Sequence, residues 1–175
     1  MTSGTWTKTG GGNFIVGDNT VGHMTQNAGA LTVNNEVWVG QAGSANGTYT
    51  FNGGTIANNS WVAIGRDGGT GQFTMTGGTW TKSGESNFIV GASGPGTMNI
   101  SGGLVEVVPG GAADRGITWV AETNNCTGTL TLSGSGEFRS RSIIVGVNGG
   151  TNGTLNLNGG TVRTSQMVGG NGTAT

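Results

Sequence analysis

The stretch GTLNLNGGT at 153–161 decides the fold of this chain. Its polar and apolar residues alternate from Thr154 to Asn158, which is the period of a half-buried β-strand. The Gly-Gly pair that follows permits backbone angles that other residues avoid, so the chain can turn sharply into a second apolar step. Copies of the stretch recur as GTYTFNGGT, GQFTMTGGT, GTMNISGGL and GTLTLSGSG at 47–55, 71–79, 96–104 and 128–136, with a degenerate copy, GHMTQNAGA, at 22–30.

The repeat has a nearly constant period. Its opening glycines are 25, 24, 25, 32, 25 and 19 residues apart, at Gly22, Gly47, Gly71, Gly96, Gly128, Gly153 and Gly172. Each repeat contains three short apolar segments, and the third ends in Val-Gly or Ile-Gly, as in FIVG at 14–17. Three short strands in about 25 residues, without helical periodicity, predict one coil of a parallel β-solenoid.

The predicted fold is therefore an all-β, right-handed parallel β-solenoid of about seven three-strand coils, forming a single domain over 1–175. The right hand follows from the rule for parallel crossover connections. An insertion at about 109–116, PGGAADRG, is expected to loop out of a coil corner. The last coil is short, and Gln26 and Gln166 fall in apolar columns, so we expect strained, partly open or terminal coils at these positions.

Stacking the repeats predicts columns of inward side chains that share one dry core. The first segment contributes Met24, Tyr49, Phe73, Met98, Leu130, Leu155 and Ala174 in one column and Gln26, Phe51, Met75, Ile100, Leu132 and Leu157 in another. The second contributes Leu31, Ile56, Trp80, Val105, Phe138 and Val162. The third contributes Val16, Val39, Ile64, Val90, Val120, Val145 and Val168.

Outward residues of the first segment form a threonine ladder, interrupted by His23, Gln72 and two asparagines. Thr-x-Thr ladders on a flat solenoid face resemble those of ice-binding proteins. β-Branched, uncharged threonine also suits any exposed strand and stacks on itself, so a purely structural role is the other interpretation. The ladder residues are Thr25, Thr48, Thr50, Thr74, Thr97, Thr129, Thr131 and Thr154.

The third segment is apolar at its outward positions as well, which is typical of a strand covered on both faces. These positions predict an apolar stripe along one edge of the rod. Such a stripe marks an association surface for a neighbouring rod, or a surface covered by a loop such as 109–116. The stripe residues are Ile15, Trp38, Ile89, Trp119, Ile144 and Met167.

The composition and the isolated reactive residues limit the functions that the chain can have. With 39 glycines, 9% charged residues and a net charge of −1, the chain has no basic footprint for nucleic acid. It also lacks the run of about 18 apolar residues that a membrane span needs. His23 and Cys126 stand without neighbouring ligands or a partner base, so we predict no catalytic residue, no metal and no cofactor. Asn-x-Ser/Thr acceptors would allow glycans on a secreted chain, at Asn46, Asn58, Asn99, Asn125, Asn152 and Asn171.

Carbohydrate chemistry is a further alternative. Parallel β-solenoids host polysaccharide lyases and hydrolases, which need clustered carboxylates or basic residues on one face. Here the acids scatter over different coil positions, although Arg139, Arg141 and Arg163 are expected to gather on one face of the last coils. Arg141 and Glu137 are close enough in sequence to pair. A solvated face explains them equally well.

The repeats resemble a known class of proteins. The segments GTLTLSG at 128–134, IIVG at 143–146 and GTLNLNGGTV at 153–162 resemble the Gly/Thr/Asn-rich β-strand repeats of bacterial surface and autotransporter-type passenger proteins. The resemblance covers nearly the whole chain. It implies a stalk or scaffold outside the cell or on its surface, and no enzymatic activity.

The two ends of the chain read as one interrupted coil. GTAT at 172–175 followed by MTSGTWTK at 1–8 matches GQFTMTGGTWTK at 71–82. GTWTK at 4–8 and NFIVG at 13–17 both recur after 74 residues, which is three coils. The pattern predicts head-to-tail stacking of copies into an open filament, and tandem units of one longer polypeptide would give the same pattern. The predicted interface residues are Met1, Thr2, Trp6, Thr173, Ala174 and Thr175.

Overall fold

The computed structural model describes residues 1–108, 116–123 and 125–175, so the predicted insertion at 109–116 lies outside them except for Gly116. Within those residues no helix is long and apolar enough to cross a bilayer. The strands are β1 (Thr5–Lys8), β2 (Phe14–Asp18), β3 (Val21–Gln26), β4 (Ala30–Val33), β5 (Val37–Gln41), β6 (Asn46–Phe51), β7 (Thr55–Asn58), β8 (Val62–Arg66), β9 (Thr70–Met75), β10 (Thr79–Lys82), β11 (Phe88–Val90), β12 (Gly96–Ile100), β13 (Leu104–Val107), β14 (Ile117–Val120), β15 (Thr127–Ser140), β16 (Ser142–Val145), β17 (Asn152–Arg163), β18 (Gln166–Gly169) and β19 (Thr173–Ala174).

The strands form a parallel β-solenoid, which confirms the predicted fold class. The first face consists of β3, β6, β9, β12, the N-terminal halves of β15 and β17, and β19. The second face consists of β1, β4, β7, β10, β13 and the C-terminal halves of β15 and β17. The third face is a separate sheet of β2, β5, β8, β11, β14, β16 and β18.

The chain makes about six turns between the first and last of the seven third-face strands, one fewer than predicted. The seventh predicted coil is divided between the two ends of the rod. Its first-face part is β19, which pairs with β17 at one end. Its second-face part is β1, which pairs with β4 at the other end.

The observed register places the predicted core columns together. On the first face, Met24, Tyr49 and Phe73 lie opposite one another on consecutive coils, and the column continues to Leu155. On the second face the column runs from Trp6 through Leu31 to Val162. Aliphatic and aromatic side chains from all three faces fill one continuous core.

The last coil departs from the prediction. Met167 pairs with Ile143 and Gly169 with Val145, whereas the sequence pattern placed Met167 beside Ile144 and Val168 beside Val145. The register shift between Gly134 and Glu137, where β15 has one residue more than β17, was already contained in the predicted pairing of Phe138 with Val162. The corner between the second and third faces adds no further shift, so the third strand follows the second strand and not its own Val-Gly signature.

Strand β19, which follows β18 and lies on the first face, is also displaced from its predicted register. Ala174 pairs with Gly153, and Thr175 lies opposite Thr154 because its N–H donates to the Gly153 carbonyl and its carbonyl accepts from the Leu155 N–H. The sequence pattern had placed Ala174 beside Leu155. Ala174 therefore continues the column of opening glycines, and the predicted inward position for it is wrong.

Gln26 was expected in a strained, partly open or terminal coil, and it lies in a terminal one, because β3 is an edge strand of the first face. Its side chain is nevertheless fully buried, and its amide is partnered on both sides. The Nε2 group donates to the carbonyls of Gly29 and Thr55, each at 3.1 Å, and Oε1 accepts from the Tyr49 hydroxyl at 2.6 Å. A buried amide with all these bonds satisfied is compatible with a packed core.

Replacing Tyr49 with phenylalanine is expected to destabilise the protein by about 2 kcal/mol, because it leaves the Gln26 Oε1 buried without a donor. Chemical unfolding monitored by circular dichroism measures the change. The double variant Tyr49→Phe/Gln26→Leu removes both polar groups and should recover most of the loss. Equal stability of Tyr49→Phe and the unmodified protein would contradict the assigned hydrogen bond.

The corner between the third and first faces depends on paired glycines. Third-face strands β2, β5, β8, β11, β14 and β16 each have a residue with positive φ next to their C-terminal end, such as Gly40 at 71° and Gly65 at 77°. The opening glycine of the next first-face strand packs directly on that corner. A Cβ on Gly71 would collide with the Val39 carbonyl oxygen and the Gly65 nitrogen.

One of the two inner columns of the second face contains three buried polar side chains, those of Asn58, Lys82 and Ser140. Asn58 is buried and its Oδ1 accepts from Trp80 Nε1 at 2.9 Å, so this predicted glycan acceptor is not on the surface. Lys82 is fully buried, and its ammonium donates to the carbonyls of Gly84 and Ser86. Burial lowers the pKa of Lys82 to about 8.

Candidate functional site

The first face carries the threonine ladder in two outward columns with unbroken register over six coils. The columns are His23, Thr48, Gln72, Thr97, Thr129 and Thr154, and Thr25, Thr50, Thr74, Asn99, Thr131 and Asn156. Apart from the His23 imidazole, the two columns offer hydroxyl and amide groups only. It could order water or hydroxyl-bearing ligands, and ice binding stays a prediction.

The third face is less open than the predicted apolar stripe. Ala63 and Ile89, at its centre, are fully buried, and the half-buried Trp38, Trp61 and Trp119 pack against them. The guanidinium of Arg66 lies 3.9 Å from the ring centroid of Trp38 and 5.0 Å from that of Trp61. The chain's own aromatic side chains therefore cover the middle of this face.

The sequence pattern missed Trp61 and Arg66 as parts of this cluster. The sequence did contain a usable signal for these large side chains, because the small Ala63 and Ala92 leave room for large neighbours. At the ends of the stripe, Ile15 and Ile144 remain half-buried. Met167 leaves the stripe because it pairs with Ile143 in the Phe88 column, and Val168 takes its place beside Ile144.

The last coils of the second face carry a charge ladder. Glu137 accepts from Arg139 Nε at 2.9 Å and from Arg163 Nε at 2.6 Å, and Arg139 also reaches Glu106 at 3.4 Å. These hydrogen bonds from the two guanidinium groups lower the pKa of Glu137. The predicted pairing of Glu137 with Arg141 is wrong, because Arg139 and Arg163 follow it in the outward columns and Arg141 lies at the corner.

A groove of about 620 Å³ runs beside this ladder, lined among others by Arg139, Arg141, Arg163, Thr164 and Ser165. Because Arg139 holds both carboxylates, neither Glu106 nor Glu137 is arranged as a free general acid or base. Exposed ion pairs of this kind contribute little to stability. Polysaccharide binding at the groove stays a prediction.

The isolated reactive residues show no assembled chemistry. Cys126 is buried, and its Sγ donates to the Gly91 carbonyl at 3.2 Å. Burial raises the pKa of the Cys126 thiol, which disfavours the nucleophilic thiolate. Among the residues that the structure describes, no three His, Cys, Asp or Glu side chains gather as metal ligands.

The N-terminal end of the rod leaves core positions uncovered. Met1 extends the Gln26 column, because its amine donates to the Thr25 carbonyl at 2.5 Å and its carbonyl accepts from the Asn27 N–H at 2.7 Å. Trp6 continues the second-face core column but is 48% exposed. A groove of about 430 Å³ between Met1 and Trp6 opens on this end.

The C-terminal end is uncovered in the same way. Leu157 is 56% exposed, whereas Leu132, one coil earlier in the same column, is completely buried. Met167, which belongs to a core column of the third face, is 47% exposed. These side chains line an apolar groove of about 310 Å³ together with Val168 and Ala174.

Strand β10 has the same sequence as the N-terminal strand β1 but has a neighbouring strand on each edge, so it shows how β1 would pack if it were covered. Both β1 and β10 have the sequence Thr-Trp-Thr-Lys. In β10, which pairs with β7 on one edge and β13 on the other, Trp80 is fully buried. Among the residues that the structure describes, strand β1 pairs only with β4, so its free edge corresponds to the edge by which β10 pairs with β7. The ring contact is also shared: Trp80 to Phe88 at 5.1 Å and Trp6 to Phe14 at 5.4 Å.

Compared with protein-family models, curated proteins and solved structures, the chain has no match. The repeat-solenoid part of the resemblance to bacterial surface repeats is confirmed by the fold. Membership in the autotransporter-type class stays a prediction.

Proposed function

We propose that the protein is a structural, self-assembling solenoid that stacks end to end into a filament. The observation that carries the proposal is the pair of identical strands β1 and β10, of which one is covered on both edges and the other on one edge only. The absence of assembled catalytic chemistry in the described residues is consistent with this role. The resemblance to surface repeats favours a location outside the cell.

The two ends offer complementary edges on all three faces. In a stack of two copies, β1 would lie on the C-terminal half of β17, β2 on β18, and β3 on β19. Trp6 would then cover Val162, and the Phe14 column would cover Met167. Unpaired strand edges and exposed core side chains invite such pairing, and a head-to-tail contact that does not close builds a fibre.

The stacked junction differs in one respect from the continuous coil that the sequence predicted. Thr175 lies opposite Thr154, and Met1 occupies the column of Leu157. The positions that correspond to Leu155 and Asn156 would therefore stay empty between two stacked copies. The gap is confined to the first face, and the second and third faces continue without interruption.

Other surfaces support the proposal less well. Side-by-side packing of rods through the third face has weaker support, because Ala63 and Ile89 are already covered. The threonine ladder would remain accessible on the outside of a stacked filament. It therefore leaves room for a ligand but does not contribute to the stacking contact.

The 175-residue chain is expected to form rods that lengthen with protein concentration, seen by sedimentation velocity and negative-stain electron microscopy. Leu157→Lys and Trp6→Lys should each abolish the rods, because a charged side chain cannot be buried unpaired in the junction. Thr55→Lys is the matched control, since it adds the same charge at an exposed position on a central coil and should leave assembly unchanged. A monodisperse monomer at every concentration would contradict the proposal.

A further inference from the structure

The twin strands end in twin lysines, Lys8 and Lys82, followed by corners of equal length. The second corner residue has positive φ in both cases, 82° at Gly10 and 77° at Gly84. Lys82 points into the core, is fully buried and donates to two corner carbonyls. Lys8 is half-buried, and its ammonium donates to the Thr9 carbonyl at 2.9 Å.

The difference between the two lysines follows from the coil beneath each of them. Below Lys82 lies Asn58 of β7, and above it lies Val107 of β13. Lys8 has Val33 of β4 on one side and no coil on the other. In the stacked arrangement, the open side of Lys8 would receive the residues that follow Val162 on β17 of the next copy.

We infer that, in the end-to-end assembly proposed above, a second copy covers Lys8 and buries its side chain against its corner, as β7 covers Lys82. Assembly therefore strengthens as the pH rises. The inference rests on the proposed function. It adds a proton linkage to that contact.

The sign of the linkage follows from Lys82. Burial lowers the pKa of Lys82 from 10.5 to about 8. If assembly buries Lys8 to the same degree, the separate copies bind more protons than the assembled ones between these pH values, so raising the pH favours assembly. From pH 7.5 to 9.5 the association constant should rise about twenty-fold.

Other charged groups lie near the junction. Glu36 lies on the corner that stacks over 9–13, as its carbonyl accepts from the Phe14 N–H at 2.8 Å. On the second copy, Arg163 pairs with Glu137 in the outward ladder, and Arg141 lines the groove beside it. The Met1 amine donates to the Thr25 carbonyl at the same end of the rod as Lys8, so the test must change Lys8 alone.

The test measures the concentration for half-maximal assembly by light scattering at pH 7.5 and 9.5. Lys8→Met should assemble more readily at pH 7.5 and lose most of the pH dependence, whereas Lys8→Arg, which keeps its charge, should assemble poorly at both values. Lys82→Met is the matched control, because Lys82 is buried whether or not copies stack, and it should retain the twenty-fold dependence. Far-UV circular dichroism establishes that each variant is folded.

The outcomes separate the two proposals. Assembly of the unmodified protein with the same pH dependence in Lys8→Met would overturn the inference and leave the filament intact. Efficient assembly of Lys8→Arg at pH 7.5 would overturn it as well. No assembly of the unmodified protein at any pH would overturn the proposed function itself.

Discussion

Replacing Gly71 with alanine is expected to destabilise the protein by more than about 4 kcal/mol. The new Cβ would lie 2.9 Å from the Ile64 carbonyl carbon and closer still to Val39 and Gly65. All three contacts are to backbone atoms, at Ile64 and Gly65 on the preceding corner and at Val39 one coil earlier, and no rotamer change can relieve them. Because the coils share one core, a corner forced open at Gly71 also separates the strands stacked on either side.

The matched control is Gly11→Ala. Neither glycine has a left-handed φ, but a Cβ on Gly11 meets no atom within 4 Å. We expect this exposed change to alter the free energy of unfolding by less than about 0.5 kcal/mol. Urea unfolding followed by circular dichroism compares the two, and equal stability of the two variants would refute the assigned packing of the glycine corner.

The second large effect is a pH dependence of stability caused by Lys82. At pH 7 the lysine is protonated in both states, and the folded protein bears the cost of a buried ammonium. Between the folded-state pKa of about 8 and the ordinary value of 10.5, the unfolded chain binds more protons than the folded one. The free energy of unfolding should therefore rise with pH, by about 2–3 kcal/mol between pH 7 and 10.

Burial raises the pKa values of Cys126 and Tyr49, so these two groups lower the free energy of unfolding as the pH rises, in opposition to Lys82. The measurement therefore compares the unmodified protein with Lys82→Met, which differs from it only in the lysine. The difference in the free energy of unfolding between the two proteins should change by about 2–3 kcal/mol between pH 7 and 10. Lys8→Met, measured in dilute protein, is the control that removes a half-buried lysine and should leave the slope in place. A constant difference between Lys82→Met and the unmodified protein would contradict the buried site.

Sequence periodicity was sufficient for the fold and for most of the core. Alternation fixes which residues of a strand point inward, and the 25-residue repeat fixes which residues stack. The columns through Tyr49, Phe73 and Trp80 were predicted on that basis, and the observed register confirms them. The twin segments around Trp6 and Trp80 were also visible in the sequence, since an exact repeat of five residues needs no structure to find it.

The sequence pattern failed in the last strands, where it aligned each strand by its own local signature. Strand β18 keeps the register of the second-face strand before it, so Met167 enters a core column, and β19 takes a register in which Ala174 enters the glycine column. A Val-Gly signature cannot reveal this, because register is transmitted from strand to strand along the coil and not set by each strand alone.

What the sequence determined by itself is the repeat, and hence the solenoid and its inward columns, because alternation and period are local properties of the chain. Only the tertiary structure decided how polar groups inside those columns are satisfied and which edges remain open. Gln26 is buried because Tyr49 of the next coil donates to it, and Lys82 because its own corner supplies carbonyls. Trp6 has the same neighbours in sequence as Trp80 and differs from it only in lacking a coil beneath, which is a property of position in the stack.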